Sequence, residues 1–163
     1  EIEDRLNTGE LTAESTKADS LMNNMPYITK DGKKIFSGGG IQPDIYVKLD
    51  TLGYNKFYAT LLQKRVFIDF VFETLADRYT SDYLSKTVSV FNISDKDYVD
   101  FLKYVESKKI VIDTKQLIPA KPLIYKNLKL MLYKYYLGDN GYYKAHNQSD
   151  PMIKQALAYL ASN

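Results

Sequence analysis

Three acidic residues, Asp95, Asp97 and Asp100, have the type and spacing that paired carboxylates in acid–base chemistry would need. They also follow Ser94 directly, and a serine followed by acids is typical of a capped helix start. The acids would then lie in the first turns of that helix and face water. We expect a solvated helix start that packs through the apolar residues Tyr98, Phe101, Leu102 and Val105.

Two serine–lysine pairs have the types of a nucleophile and its base, Ser15 with Lys17 and Ser85 with Lys86. A lysine acts as a base at neutral pH only when burial removes its water and lowers its pKa. Both pairs lie in polar, surface-like sequence. We expect neither pair to be catalytic.

The composition leaves few ligands for a metal ion. The chain has no cysteine, which excludes thiolate metal ligands and cysteine nucleophiles. His146 is the only histidine, and the carboxylates near it in the sequence are Asp139 and Asp150. We expect a histidine in a surface loop, no metal ion and no cofactor.

A basic stretch runs from residue 103 to residue 144, where nine lysines face three acids for a net charge of +6. Tyrosines are interleaved with these lysines, and such a pattern can bind nucleic acid. All nine cations are lysine, however, and arginine, the bidentate reader of phosphate and guanine, is missing from the stretch. We therefore expect a solvated helical face and no nucleic-acid partner.

The 163 residues, 45% of them hydrophobic, are enough for a buried core. No apolar run approaches the roughly 18 residues that a membrane-spanning helix needs, so we expect no membrane span in this chain. The first residues lack a signal-peptide pattern. The chain begins with Glu1 and not with Met, from which we expect a processed product or an excised fragment.

The front of the chain predicts short strands. Residues 27–29 and 34–36 are β-formers on either side of Asp31-Gly32, and this dipeptide is a strong hairpin signal because glycine accepts the positive φ of primed turns. A third alternating run follows at residues 45–47. We expect two or three short strands after an irregular segment over residues 1–26.

After Gly53 the spacing of apolar residues becomes helical. Residues 55–79 predict one central helix that is apolar nearly all round and so must be covered on more than one side. Leu62, Val66, Phe70 and Val71 form one side of it. The opposite face consists of residues at spacings of three and four, namely Phe57, Leu61, Lys64, Ile68, Phe72, Leu75 and Tyr79.

Two more helices are expected towards the end of the chain. A long helix over about residues 114–137 should be interrupted or kinked near Pro119 and Pro122, and Gly138 should end it as a left-handed cap. The last helix should begin at Asp150, which is followed by a first-turn proline.

These elements predict a mainly α fold with a small β element, in the α+β class. Two or three short strands at the front precede a bundle of about four helices. The expected domains are residues 1–48, a loop with short strands, and residues 49–163, a helical C-terminal domain.

Three of the eight glycines are consecutive, at residues 38 to 40. A phosphate-binding P-loop would continue with Lys-Ser or Lys-Thr and open a helix, whereas this run continues with Ile41-Gln42-Pro43-Asp44. Pro43 also lacks the backbone N–H that a phosphate would need. The glycines are better explained by backbone angles and close approaches that a side chain would forbid.

The segment YITKDGKKIFSGGGIQPD, residues 27 to 44, resembles the segment that closes the catalytic domain of C-terminal processing proteases, also called tail-specific proteases. That family's pattern runs aromatic, any residue, Thr, then Gly-Arg, then glycines and Gly-Ile-x-Pro-Asp. Lys33 replaces the usual Arg, and Lys30 replaces a frequent Pro. Flanking residues near Gly9 and Gly53 resemble a Gram-negative subgroup with a long helical C-terminal extension. The matching residues are Tyr27, Thr29, Gly32, Gly38, Gly39, Gly40, Ile41, Pro43 and Asp44.

The resemblance implies a parent serine endopeptidase with a Ser nucleophile and a Lys base, both expected before Glu1, and a PDZ module earlier still. It therefore implies no catalytic residue in this chain, and a structural role for the nine matching residues. The implied partners are the chain's own upstream catalytic and PDZ domains and, through the parent, unfolded or C-terminally exposed protein substrates. The implied location is periplasmic or envelope-associated, through the parent's expected signal sequence.

Two functional hypotheses follow. The chain is the C-terminal fragment of a periplasmic C-terminal processing serine endopeptidase, inactive alone, whose helical bundle has a structural or regulatory role. The alternative is a helical protein–protein interaction module without any catalytic role.

Overall fold

The computed structural model of the chain describes residues 26–30, 32, 34–36, 45, 47, 51 and 53–162. Helices predominate among these residues, so the predicted mainly α class is confirmed. The chain divides into two compact units, Glu1–Asp50 and Thr51–Asn163.

The first unit contains an antiparallel pair of strands, β1 (Pro26–Ile28) and β2 (Lys34–Phe36). In the turn between them, the Gly32 N–H donates to the Thr29 carbonyl at 2.9 Å. Gly32 has a φ of 78°, the positive value predicted for this glycine. The strand pairing ends at Ile28 and Lys34, so the loop has five residues and is longer than a two-residue primed turn.

The third predicted strand is not found at the positions that can be compared. Ile45 lies in a bend and Val47 has no regular structure. The remaining residue of that run, Tyr46, lies outside the described residues.

The predicted continuous helix over residues 55–79 is wrong. Helix α1 (Lys56–Gln63) ends before Arg65, which has φ 57° and ψ 21° in the left-handed region. Helix α2 (Val66–Phe70) then begins, and it passes directly into a π-helical turn (Val71–Leu75) and a 3₁₀ turn (Ala76–Arg78).

The break at Arg65 leaves part of one predicted buried face exposed. Left-handed geometry at one residue rotates the second helix relative to the first, and the π turn adds a further offset because it has more residues per turn. Ile68 and Phe72, predicted on the buried face, are therefore 45% and 67% exposed. Val66, Phe70 and Val71 of the other predicted side are buried, and so is Phe67, which belonged to neither predicted side.

A short helix that the sequence analysis did not predict follows, α3 (Ser81–Thr87), and the side chain of Thr80 caps it by accepting from the Tyr83 N–H at 3.3 Å. Helix α4 (Asp95–Ser107) begins as predicted after Ser94, which accepts from the Asp97 N–H at 3.1 Å. Tyr98, Phe101 and Val105 of α4 are buried, as expected.

The helical stretch α5 (Thr114–Asn147) keeps helical backbone angles through Pro119 and Pro122, where an interruption or kink was predicted. Its non-helical residue is Gly138, with φ 64° and ψ −158°. The stretch therefore consists of two helices joined by a kink at Gly138, and the first of them ends there as predicted. The positive φ explains why glycine stands at the kink, although a ψ of −158° is not that of a left-handed helical cap. Helix α6 (Pro151–Ser162) begins as predicted, because Asp150 accepts from the Met152 and Ile153 N–H groups at 2.8 and 3.1 Å.

Helix α5 is the central element of the second unit. It contacts α1, α2, α3 and the π-helical turn, and α4 packs against α2. Phe101 of α4 stacks on Phe67 of α2 with ring centroids 5.1 Å apart, and Phe70 meets the same ring edge-on at 5.2 Å. The α5 side chains that form the middle of the core are Ala120, Ile124, Leu128, Leu132 and Tyr133, each fully buried.

The start of α1 is fixed to α5 by close packing and hydrogen bonds. Gly53 has a φ of 85°, and a Cβ there would collide with the Pro119 carbonyl, whose carbon would lie 2.9 Å away. Asn55 caps α1 through the Tyr58 N–H and also donates to the Gln116 carbonyl at 2.7 Å. This arrangement explains why glycine stands at position 53 and asparagine at position 55, which the helical pattern alone did not explain.

Helix α6 differs from the rest of the second unit because it contains no buried residue. Its large apolar side chains Met152, Leu157 and Leu160 are 54%, 61% and 71% exposed. None of the helices among the described residues has the length and apolar character that crossing a bilayer requires.

Candidate functional site

The glycine-rich motif can be placed only in part. Tyr27 is exposed on β1, Thr29 is half-buried at the end of that strand, and Gly32 is exposed in the turn. These three residues lie in one hairpin. The other motif residues, Gly38, Gly39, Gly40, Ile41, Pro43 and Asp44, lie outside the described residues, as do Ser15 and Lys17.

The Ser85–Lys86 pair lies on the surface of α3. The Ser85 hydroxyl donates to the Asp82 carbonyl oxygen at 2.9 Å. The Lys86 ammonium pairs with the Asp82 carboxylate at 2.7 Å, and its side chain is 70% exposed. This lysine is hydrated and ion-paired, which is the opposite of the environment that makes a lysine a base.

His146 was predicted in a surface loop, and this prediction is wrong. It lies in the last turn of α5, where it stacks on the Tyr142 ring at 5.9 Å. Its Nδ1 lies 3.7 Å from a carboxylate oxygen of Asp150. Among the described residues no three side chains of His, Cys, Asp or Glu come together as a metal site would need.

The carboxylates at the start of α4 are not all solvated, which corrects the sequence prediction. Asp97 is only 3% exposed, the single buried charged residue of the described chain. Its Oδ1 accepts from the Arg78 guanidinium at 2.6 Å, and its Oδ2 accepts from the hydroxyls of Tyr79 and Ser94, each at 2.6 Å. The second Arg78 nitrogen donates to Asp100 at 2.8 Å. We call these five residues the Arg78–Asp97 network.

The Arg78–Asp97 network keeps Asp97 ionised. Burial acts to raise the pKa of Asp97, but the hydrogen bonds from Ser94, Tyr79 and Arg78 outweigh it and leave the pKa below the ordinary value. A carboxylate with a lowered pKa and occupied oxygens is a poor general base. The arrangement instead ties the turn before α3 to the first turn of α4.

The basic stretch is mostly the solvated face that the sequence predicted. Seven of its nine lysines are exposed, and the two exceptions are Lys126 and Lys129 on α5. These two line a cavity of about 380 Å³ between α5 and the loop that precedes α4. We call this cavity the lysine pocket. Lysine spacing alone did not reveal it, because residues distant in sequence form its other walls.

No family model, no curated protein and no solved structure matches this chain.

Proposed function

We propose that this chain is the C-terminal part of a periplasmic C-terminal processing serine endopeptidase. The Ser/Lys dyad and the PDZ module of that enzyme belong to the segment before Glu1, so the chain is inactive alone. The observation that carries the proposal is the run of motif residues that begins at Tyr27 and ends with Gly40-Ile41-Gln42-Pro43-Asp44.

The geometry of the hairpin supports the interpretation of the first half of that motif. Gly32 forms a turn at positive φ and closes a hydrogen bond to Thr29, so glycine at this position meets a backbone requirement. A motif residue with such a requirement is expected to recur wherever the same hairpin is used. The proposal assigns residues 38–44 the corresponding role in joining the hairpin to the protease core.

The helical unit Thr51–Asn163 would then have a structural or regulatory role beside the protease core. A second candidate function is a protein–protein interaction module without any catalytic role. The observation that favours it is the exposed apolar surface of α6, since large apolar side chains left in water often mark contact sites.

The coding sequence upstream of Glu1 gives the direct test. We expect it to encode a PDZ-like module followed by a serine and a lysine on a βα scaffold. An upstream sequence that encodes another kind of domain, or none, would remove the basis of the protease proposal.

The purified chain gives an independent biochemical test with an unfolded protein as substrate. We expect no hydrolysis, because the proposal places the nucleophile and the base before Glu1. Turnover that disappears when a serine of this chain is replaced would show that the active site was placed wrongly. Pull-downs with and without residues 50–163 then separate the two candidate functions, since an interaction module captures its partner without the protease core.

A further inference from the structure

We propose that the lysine pocket binds a small organic carboxylate, with Lys126 and Lys129 as the groups that hold the anion. The proposal goes beyond the protease assignment and does not depend on it, because all of the residues involved belong to the unit Thr51–Asn163. It is carried by the position, pairing and surroundings of these two lysines.

Lys126 and Lys129 are half-buried residues that line the pocket. Lys126 and Lys129 are three residues apart on α5 and therefore share one face of the helix. Neither forms an ion pair with any carboxylate of the described residues, and both are half-buried, whereas Lys115, Lys121 and Lys144 of the same helical stretch lack an ion pair but are exposed. A cation that has lost part of its water without gaining a partner gains most from an incoming anion.

The state of Lys129 agrees with this argument. Loss of water on partial burial lowers its pKa below that of an ordinary lysine. An anion bound beside the ammonium would favour the charged form and raise the pKa again. The pKa of Lys129 therefore reports whether an anion occupies the pocket.

The nearby acids already have partners of their own. Asp150 caps α6 and faces His146 at 3.7 Å, and Asp95 accepts from the Tyr125 hydroxyl at 2.6 Å. The hydrogen bond from the Ile153 N–H is the main cause that lowers the pKa of Asp150, and the charge of Lys126 adds a smaller contribution. This carboxylate therefore partly offsets the positive charge of the pocket. Because the positive charge is partly offset, we expect an anion with a single negative charge to bind better than phosphate.

The walls of the pocket indicate an apolar body on the ligand. Ile93, Leu130 and Ala145 line it and are each buried in the core. Ser89, Asn92, Gln148 and Ser149 add hydroxyl and amide groups near the surface. A cavity of about 380 Å³ with apolar walls and a few polar groups falls within the range of small-molecule sites.

The test is a titration of the full 163-residue chain with sodium hexanoate, followed by amide NMR shifts at Asn92, Lys129 and Ser149. We expect saturable shifts with hexanoate. Acetate should bind more weakly because it lacks the apolar body, and hexanamide should not bind because it lacks the charge. A tripeptide ending in leucine, compared with its C-terminal amide, distinguishes a peptide end from a free acid as the source of the carboxylate.

Three variants localise the effect. Lys126→Met and Lys129→Met should each weaken hexanoate binding about tenfold, as expected for the loss of one charged hydrogen bond. Lys115→Met, a control at an exposed position of the same helix, should leave it unchanged. In the unmodified chain, the pKa of Lys129 should rise when hexanoate is added, which tests the site even if a variant folds poorly.

Several results would overturn the proposal. Equal weakening by Lys115→Met would mean that hexanoate responds only to overall charge. Tighter binding of inorganic phosphate than of hexanoate would contradict the carboxylate assignment. The absence of saturable shifts with every probe, together with an unchanged Lys129 pKa, would show that the pocket holds no anion.

Discussion

The Arg78–Asp97 network and the lysine pocket differ in whether their charged side chains have partners. In the network, a carboxylate that is 3% exposed receives hydrogen bonds from an arginine, a tyrosine and a serine. In the pocket, the half-buried residues Lys126 and Lys129 form no ion pair with a carboxylate of the described residues. Both sites lie in the same helical unit and both remove charge from water.

The difference indicates that the charges of the Arg78–Asp97 network stabilise the fold, whereas those of the lysine pocket are available to bind a ligand. Buried charges are tolerated when hydrogen bonds replace the lost water, and a network whose groups are all satisfied leaves nothing for a ligand to contact. A cation without a partner contributes little to the fold, but it is free to bind. Substitutions at the two sites should therefore have opposite effects on stability.

The largest effect is expected for Asp97→Asn. The amide cannot accept from Arg78, Tyr79 and Ser94 as a carboxylate does, and its N–H₂ group would face donors. We expect a loss of about 2 to 3 kcal/mol in the free energy of unfolding, measured by urea denaturation. The control Asp82→Asn breaks an exposed pair on α3 and should cost less than about 0.5 kcal/mol. Equal losses would mean that the network is not a special site.

Acid should destabilise the protein partly through Asp97. A carboxyl whose pKa is lowered by folding stabilises the protein fully above its unfolded pKa, about 3.9. That stability is lost as the pH falls through the lower folded value. We therefore expect the stability difference between the unmodified chain and Asp97→Asn to shrink as the pH is lowered below about 4. A difference that stays constant down to the acid transition would contradict the assignment.

A smaller effect is expected for Tyr79→Phe, which removes one donor from Asp97 but keeps the ring that packs edge-on against Phe91. We expect a loss of about 1 kcal/mol by the same denaturation measurement. Tyr83→Phe is the matched control, because the Tyr83 ring also contacts Phe91 but its hydroxyl does not belong to the network. Tyr83→Phe should leave the free energy of unfolding nearly unchanged.

The smallest effect on stability is expected for Lys129→Met. Since folding lowers the pKa of Lys129, its charged form is disfavoured in the folded protein at neutral pH, and removing the charge removes that cost. Thermal unfolding at neutral pH should show no loss, or a slight gain. A clear loss would mean that Lys129 has a structural role and that the contrast with Asp97 is wrong.

Local chemistry explains the parts of the fold that were predicted correctly. Ser94 and Asp150 mark helix starts because their side chains accept from backbone N–H groups two or three residues ahead, and these contacts need no distant partner. Gly32 and Gly138 have the positive φ that only glycine adopts without cost. In each case the residue type and its neighbours in sequence were sufficient.

The errors arose where distant residues decide the structure. A single helix over residues 55–79 would fit the apolar spacing, but Arg65 adopts a left-handed conformation, and Ile68 and Phe72 beyond it are exposed. The two prolines of α5 do not interrupt it, and the packing of Gly53 against Pro119 shows that neighbouring backbone fits closely at that site. Packing energy over a whole helix outweighs the preference of single residues.

The candidate sites divide in the same way. The sequence by itself determined the helical class and the polar character of the basic stretch, and the proposed protease assignment rests on the sequence alone. Only the tertiary structure decided that Asp97 is buried and satisfied while Lys126 and Lys129 are half-buried and unpaired. The reason is physical: the charge state and partners of a side chain depend on water and on neighbours that residues far apart in the chain bring together.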